Sequence, residues 1–318
     1  MGQLSRCLVA GGAGFIGSHL VDFLLENGYE VTVVDNLITG SLKNLRGCIK
    51  HISFKECDIA DFETDETYSM IFDLASIANP TDYVSCPQSV LNSASFGVKR
   101  LLDISKRCNS KFIYFSSSEV YGHHLDTDTG FSEDTYCNIP LLTSRSPYYI
   151  AKLFGEQYVK TFCEGNNLQY LIVRPFNIYG TRMDLKSPYG RVITNFIKAA
   201  LQNSPILING DGNQVRAFCH IDDFLDGLFG YLAHENKENL VNIGNNEPIS
   251  ILNLAKLIVK LTKSSSTLTH VPAIDNEPRY RNPGIDRIFN SIGWVPKITL
   301  EKGLAELIQT ETTQTQQE

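Results

Sequence analysis

The chain of 318 residues is long for one domain and long enough for two domains that share a core. Its hydrophobic content of 42% and charged content of 20% are ordinary for a globular protein, which excludes a disordered or fibrous protein. The net charge of −7 and the lack of a long run of Lys and Arg argue against nucleic acid as the main partner. An anionic ligand would therefore need local basic residues.

The first 35 residues combine a strand, a glycine turn, a helix and a second strand. Gly11 and Gly14 permit a tight turn whose backbone amides can approach a pyrophosphate, and Gly17 lets the helix pack on the sheet. A glycine pattern alone is most often an ordinary loop. Here the second strand ends at Asp35, whose carboxylate suits ribose hydroxyls and would repel a 2′-phosphate. The segment predicts a dinucleotide site that prefers NAD to NADP.

Apolar and helical segments alternate through the first half of the chain, which predicts βαβ units and an α/β fold with a doubly wound parallel sheet of Rossmann type. The strand-like runs are 7–10, 31–34, 70–75, 111–116 and 169–173, and the helical patterns are near 15–27, 88–108 and 147–164.

The pattern changes after Arg174, where a segment rich in Gly, Pro and Ser begins. We therefore predict a cofactor domain over 1–174 and a smaller α/β substrate domain over 175–310. The apolar run 240–244 predicts a strand that returns to the main sheet. The polar residues 311–318 predict a disordered tail.

The sequence also makes predictions about the protein's surroundings. Its eight cysteines show neither Cys-x-x-Cys spacing nor paired histidines, which predicts reduced thiols in the cytoplasm and no metal site. The N-terminal residues lack the pattern of a signal peptide, and no apolar run approaches the roughly 20 residues needed to span a bilayer. We expect no membrane partner.

Tyr148 and Lys152 are four residues apart on a predicted helix, so their side chains share one face. A nearby ammonium favours the phenolate form of a tyrosine, and such a pair can take a proton from a sugar hydroxyl. By itself this spacing is most often a packed surface pair. The preceding strand, however, ends in Ser117, Ser118 and Glu119, where ligands bind in open α/β sheets, although serines after a strand are by default a turn or helix cap.

With these motifs the chain resembles the extended short-chain dehydrogenases/reductases that act on nucleotide sugars, the epimerase/dehydratase family. The resemblance implies that Ser117, Tyr148 and Lys152 form the catalytic triad. Tyr148 would remove the proton of the sugar 4-hydroxyl while hydride passes from C4 to NAD. Lys152 would hold the nicotinamide ribose and lower the tyrosine pKa, and Ser117 would bind the same sugar oxygen.

Ser118 indicates which branch of the family the chain resembles. Dehydratases usually carry Asp-Glu where this chain has Ser118 and Glu119, and the sequence Ser-Ser-Glu-Val-Tyr-Gly instead resembles the UDP-glucuronate decarboxylases. That branch implies catalytic roles for Ser118, Glu119 and Arg281, the last two beside the carboxylate that leaves. The alternatives are a UDP-sugar 4-epimerase, a nucleotide-sugar 4,6-dehydratase, and a non-catalytic protein that binds NAD.

The resemblance assigns further contacts and implies a homodimer that uses the helices near 88–108 and 147–164. For the UDP-sugar it implies Tyr83, Ser117, Asn177, Arg191, Val192, Arg216 and Arg281. For NAD it implies Gly11, Gly14, Phe15, Ile16, Gly17, Asp35, Asn36, Asp58, Ile59, Leu74, Ala75, Ser76, Tyr148, Lys152 and Pro175.

Overall fold

The computed structural model describes residues 5–122, 130–183, 191–235, 238–273 and 279–315. Its strands are β1 (Arg6–Ala10), β2 (Glu30–Asp35), β3 (Ile52–Glu56), β4 (Met70–Asp73), β5 (Lys111–Phe115), β6 (Tyr170–Pro175), β7 (Ile178–Tyr179), β8 (Ile206–Asn209), β9 (Val215–Ala217), β10 (Cys219–His220), β11 (Leu240–Ile243), β12 (Pro248–Ser250), β13 (Leu268–Val271) and β14 (Tyr280–Arg281). Its α-helices are α1 (Phe15–Glu26), α2 (Pro80–Ser85), α3 (Pro87–Asn92), α4 (Val98–Cys108), α5 (Ser146–Gly165), α6 (Val192–Leu201), α7 (Ile221–Ala233), α8 (Ile251–Thr262), α9 (Asp286–Ile292) and α10 (Leu300–Thr315).

The main sheet has seven strands in the order β11-β6-β5-β4-β1-β2-β3. The pairs from β6 to β3 are parallel, and β1 lies between β2 and β4. The strand order reverses beside β1, as in the doubly wound arrangement that places ligands at the carboxyl ends of the strands. The predicted Rossmann-type fold is confirmed, and β11 is the returning strand, at the edge beside β6.

The core on one face of this sheet follows the two-residue period of the strands. Leu8, Ile71, Phe112 and Tyr170 occupy equivalent positions on neighbouring strands, and their side chains form one buried cluster. Buried residues of α4 and α5 complete the cluster. These two helices are thereby fixed against the middle of the sheet.

The predicted helix over 88–108 is interrupted. A π-helical turn, Ser93–Gly97, separates α3 from α4. Gly97 packs directly on Ile59, where a β-carbon would collide with the isoleucine side chain. The close contact explains why glycine is needed at this irregular turn.

The chain divides into two compact units. The first contains residues 1–120, 139–174 and 237–241, and the second contains 121–138, 175–236 and 242–318. The predicted domain boundary at 174 stays a prediction, and the segment after Val120, which the sequence analysis included in the first domain, belongs to the second compact unit. Buried Asn242 explains this: its side chain accepts a hydrogen bond from Tyr121 at 2.7 Å and donates to the Phe131 carbonyl, and its backbone amide donates to Glu133.

The second unit contains three small sheets. Their strand orders are β12-β9-β14, β10-β7 and β13-β8. Helix α6 directly follows Arg191, and α8 follows its N-cap Ser250, whose side chain accepts from the Asn253 amide at 3.2 Å.

The predicted disordered tail is wrong for residues 311–315. Helix α10 continues to Thr315 because buried Leu304, Leu307 and Ile308 anchor its apolar face. In the polar part the Thr312 hydroxyl donates to the Ile308 carbonyl at 2.8 Å. Residues 316–318 lie outside the described part of the chain.

Candidate active site

The glycine turn of the first unit has the shape that a dinucleotide requires. Gly11 has φ +78°, and a β-carbon there would lie 2.8 Å from the backbone carbon of Leu74. A β-carbon at Gly17 would collide with the Gly11 carbonyl oxygen. Gly14 caps the start of α1, with its amide donating to Gly11. The helix N-terminus is therefore open to a phosphate group.

A cleft beside this turn brings together most of the residues predicted to bind the cofactor. Gly11, Gly14, Asp35, Asn36, Asp58, Ile59, Leu74, Ala75 and Ser76 line it. Sequence reasoning missed Ile38, Thr39, Gly40, Ile77, Ser89 and Ser93, which also line it. The predicted residues Phe15, Ile16 and Gly17 belong to the first turn of α1, and Pro175 ends β6 in the second unit.

Asp35 organises the cleft as well as lining it. Its two carboxylate oxygens accept the amides of Ala13 at 2.9 Å and Leu37 at 2.8 Å. Burial raises the pKa of Asp35, and the two amide bonds oppose this shift. Next to it, the Asn36 amide donates to Asp58 at 2.9 Å. The open amides, the carboxylate and the apolar walls fit an adenosine diphosphate moiety, so the residues present suit NAD.

The helix α5 presents Tyr148 and Lys152 one turn apart, and both side chains are buried. Tyr83 of α2 stacks on Tyr148, with ring centroids 4.6 Å apart and an interplanar angle of 9°. The Tyr83 hydroxyl is buried without a hydrogen-bond partner among the described residues, and burial raises its pKa. The stack restricts the position of the Tyr148 ring.

The Lys152 ammonium is held at the sheet. It donates to the Phe115 carbonyl at 2.7 Å and lies 5.2 Å from the centre of the Tyr114 ring. Burial lowers the pKa of Lys152 to about 8, and the charges of Asp73 and Glu156 oppose this shift. The ammonium is therefore a desolvated charge within one helical turn of a phenol.

The three serines after β5 have different surroundings. Ser116 is buried and donates to Glu156 at 2.5 Å. Ser117 is half-buried and accepts the Glu119 amide at 3.2 Å. Ser118 is buried at the start of a 3-10 helix that contains Glu119, which is half-buried. The Ser116 hydroxyl is therefore buried in a structural hydrogen bond, whereas the Ser117 side chain retains an accessible surface.

A buried ion pair near Tyr148 and Lys152 was missed by sequence reasoning. Arg174 makes two hydrogen bonds to Glu156, at 2.8 and 2.7 Å, and both residues are at most 5% exposed. The spacing contained a signal, because Glu156 follows Lys152 by four residues and so extends the face of α5 that carries Tyr148 and Lys152. The ion pair joins α5 to β6.

The second unit holds the arginines predicted to bind the substrate. Parallel pairing of β14 with β9 places Arg281 directly beside Arg216, and both side chains are buried. Arg216 donates to the carbonyl of Val215 at 2.8 Å. Two adjacent buried guanidinium groups form a strongly cationic pair.

The remaining predicted contacts of the second unit lie at two turns. Asn177 has φ +41° and donates to the Ala217 carbonyl at 2.9 Å, so it shapes a turn. Arg191 is exposed, donates to the Ile178 carbonyl at 3.2 Å and immediately precedes Val192, the first residue of α6.

Comparison with known families and proteins identifies the group to which the chain belongs. The model of the NAD dependent epimerase/dehydratase family matches residues 7–244. The chain belongs to this family. Among curated members, UDP-glucuronic acid decarboxylase 1 of Danio rerio is 35% identical over 310 residues, covering 96% of this chain and 72% of that protein. UDP-glucuronic acid decarboxylase 3 of Arabidopsis thaliana is 35% identical over 305 residues, covering 94% and 86%.

Solved members of the epimerase/dehydratase family have the same fold. UDP-glucose 4-epimerase of Thermotoga maritima with UDP-glucose has a TM-score of 0.89 and 30% identity, covering 98% of this chain and 99% of that one. UDP-glucuronic acid 4-epimerase of Bacillus cereus, in complex with UDP-glucuronic acid and NAD, has a TM-score of 0.84 and 28% identity, covering 97% and 99%.

Within the described ranges of the chain, no group of three or more His, Cys, Asp and Glu side chains is arranged to hold a metal ion. No helix in the same part of the chain is both long and apolar enough to cross a membrane.

Proposed function

We propose that this protein is an NAD-dependent UDP-glucuronate decarboxylase whose products are UDP-xylose or a UDP-4-keto-pentose. The observation that carries the proposal is the buried Tyr148 beside Lys152 in a chain whose curated relatives include several UDP-glucuronic acid decarboxylases. Ser118, rather than an acid, follows Ser117, which disfavours the dehydratase alternative.

In the first step Tyr148 takes the proton of the sugar 4-hydroxyl. The Lys152 ammonium stabilises the phenolate that accepts this proton, and the Ser117 hydroxyl donates to the same sugar oxygen. NAD⁺, when bound, supplies the acceptor for the C4 hydride and can later return it. The Tyr83 ring restricts the Tyr148 ring, and the Tyr83 hydroxyl donates to the substrate.

In the second step the new ketone lies β to the C6 carboxylate. The bond between C5 and C6 breaks, CO₂ leaves, and the electron pair forms an enolate whose negative oxygen is at C4. Tyr148, now protonated, and Ser117 donate hydrogen bonds to this oxygen. The Glu119 carboxylate disfavours the neighbouring carboxylate of the ground state by repulsion, and C5 then takes up a proton through water.

Arg216 and Arg281 bind the anionic groups of the substrate, with Arg216 on the diphosphate. Arg281 binds the carboxylate or, given its place beside Arg216, the diphosphate itself. Binding of UDP, which has no sugar carboxylate, distinguishes these roles. The variant Arg281→Met should weaken UDP binding if Arg281 contacts the diphosphate, and should leave UDP binding intact if it contacts the carboxylate. Asn177, Arg191 and Val192 complete the contacts to the diphosphate and uridine.

The deciding experiment is incubation of the purified protein with UDP-glucuronate. We expect CO₂ and a product lighter by one CO₂ for UDP-xylose, or by one CO₂ and two hydrogens for the UDP-4-keto-pentose, whose formation leaves NADH. We expect Tyr148→Phe to abolish turnover while it retains NAD binding. A product of unchanged mass would establish the UDP-sugar 4-epimerase, which the likeness to the Bacillus cereus enzyme favours as second candidate. Water loss from a neutral hexose nucleotide would establish the dehydratase, and NAD binding without any turnover would establish a non-catalytic protein.

We further propose that the protein is a homodimer. Apolar side chains are exposed on α3, on the adjoining π-helical turn and on α5, which pack against one another. They are Leu91, Phe96, Ile150 and Phe154, with Phe96 65% exposed. A contiguous apolar surface of this kind indicates a protein interface. Phe154→Glu should shift the protein to monomers in analytical ultracentrifugation, whereas Phe289→Glu, at another exposed aromatic position, should not.

The cytoplasm is the proposed location. All eight cysteines are free thiols, as expected in a reducing compartment. Fractionation of cells that express the native chain, followed by immunoblotting, tests this location directly.

A further inference from the structure

Asp73 is a buried charged residue that the proposed reaction does not use. It ends β4, and its side chain is 2% exposed. One carboxylate oxygen, Oδ1, accepts the Ala75 amide at 3.2 Å. The other oxygen, Oδ2, has no hydrogen-bond partner among the described residues. A charge in such a place is costly unless an opposite charge compensates it.

The sheet register shows which way this carboxylate points. Asp73 lies beside Tyr114 of β5, two residues after Ile71. Ile71 and Tyr114 both belong to the cluster that packs against α4 and α5. Because alternate residues of a strand share a face, Asp73 points toward the same helices. The Lys152 ammonium of α5 lies 5.2 Å from the centre of the Tyr114 ring, on the same side of the sheet.

Asp73 and Lys152 perturb each other. Burial raises the pKa of Asp73 to about 7, and the Lys152 charge opposes this shift. The other titratable groups around the two are Tyr114 on β5 and Tyr148 and Glu156 on α5. Because Glu156 already binds Arg174 through both oxygens and accepts from Ser116, its charge is largely compensated. Asp73 is the carboxylate left to balance Lys152.

We propose that Asp73 is a positioning residue whose carboxylate is the counter-ion of Lys152, keeping the ammonium charged inside the protein and thereby available to stabilise the Tyr148 phenolate. The last part of this inference rests on the proposed function. The first part is a property of the folded chain and can be measured without substrate.

The test measures the titration of Lys152 by NMR in full-length protein with ¹³C-labelled lysine, the signal being assigned by its loss in Lys152→Arg. In Asp73→Asn, which keeps the acceptor for the Ala75 amide, we expect the titration midpoint of Lys152 to fall by about one pH unit or more. Asp103→Asn is the control, because it removes the same charge from an exposed pair with Lys99 on α4. An unchanged midpoint in Asp73→Asn would overturn the proposal.

Activity provides a second readout. The pH profile of turnover by Asp73→Asn should lose its alkaline side at lower pH than that of the wild type, by the same shift as the NMR midpoint. A uniform loss of turnover at all pH values would indicate a merely structural role and refute the proposal. If the wild type does not act on UDP-glucuronate, the proposed function fails, whereas the NMR midpoint still decides whether Asp73 is the counter-ion.

A measurement on the wild type covers the case in which the variant does not fold. The Asp73 carboxyl carbon is followed by ¹³C NMR, and we expect it to ionise between pH 7 and 8, below the pH at which Lys152 loses most of its charge. An Asp73 carboxyl that stays protonated through this range would contradict the proposal.

Discussion

Breaking the buried ion pair between Arg174 and Glu156 should strongly destabilise the protein. The variant Arg174→Met removes the two hydrogen bonds of 2.8 and 2.7 Å from Arg174 to Glu156. Of the three hydrogen bonds described to the Glu156 carboxylate, which is 4% exposed, the one from Ser116 remains. An uncompensated buried charge costs about 3–5 kcal/mol. At about 1.4 kcal/mol per factor of ten, this lowers the folding equilibrium constant by a factor of about 100 to about 4,000.

Urea unfolding followed by circular dichroism measures this effect. With a slope of about 2–3 kcal/mol per molar urea, the midpoint of Arg174→Met should fall by about 1.5 M. Arg6→Met is the matched control, since Arg6 pairs with Glu30 at a similar 2.8 Å but with side chains 36% and 46% exposed. Exposed pairs contribute about 0–1 kcal/mol, so the midpoint of the control should change little.

The double variant Arg174→Met with Glu156→Gln tests the cause. Glutamine keeps an acceptor for Ser116 and removes the unpaired charge, so the double variant should be about 2 kcal/mol more stable than Arg174→Met alone. A double variant no more stable than the single one would refute the argument that a stranded carboxylate causes the loss.

Three further outcomes are expected. Gly11→Ala should weaken NAD binding, measured by calorimetry, by about 100-fold or more because the added β-carbon meets the Leu74 backbone. Gly28→Ala is the control: Gly28 has φ +77° and lies in open space, so this variant has the same backbone strain and should bind NAD normally. Tyr83→Ala should lower kcat by about tenfold through loss of the stack on Tyr148. Tyr83→Phe keeps the stack and should mainly raise KM, so equal losses of kcat in the two variants would contradict a stacking role. NAD binding should weaken as pH rises through about 8. Burial lowers the pKa of Lys152 to about 8, so Lys152 loses its proton in this range. If a Lys152→Met variant shows the same pH dependence of NAD binding, this cause is disproved.

The sequence by itself determined the parts of the protein that depend on neighbours along the chain. The turn from Gly11 to Gly17 and the spacing of Tyr148 and Lys152 are local patterns, and each has one backbone geometry that satisfies it. The alternation of apolar strands and helical patterns likewise indicated the doubly wound sheet, because a parallel sheet with helices on both faces buries both kinds of segment. The parallel main sheet and its returning strand at β11 were therefore predictable.

Only the tertiary structure decided which distant residues meet. The stack of Tyr83 on Tyr148, the place of Arg281 beside Arg216, and the burial of Asp73 depend on strand register and helix packing, which no local pattern specifies. The same holds for the segment after Val120, which joins the second unit because buried Asn242 needs its hydrogen bonds. Long-range burial of polar groups selects partners by their geometry in space, and that information is distributed over the whole chain.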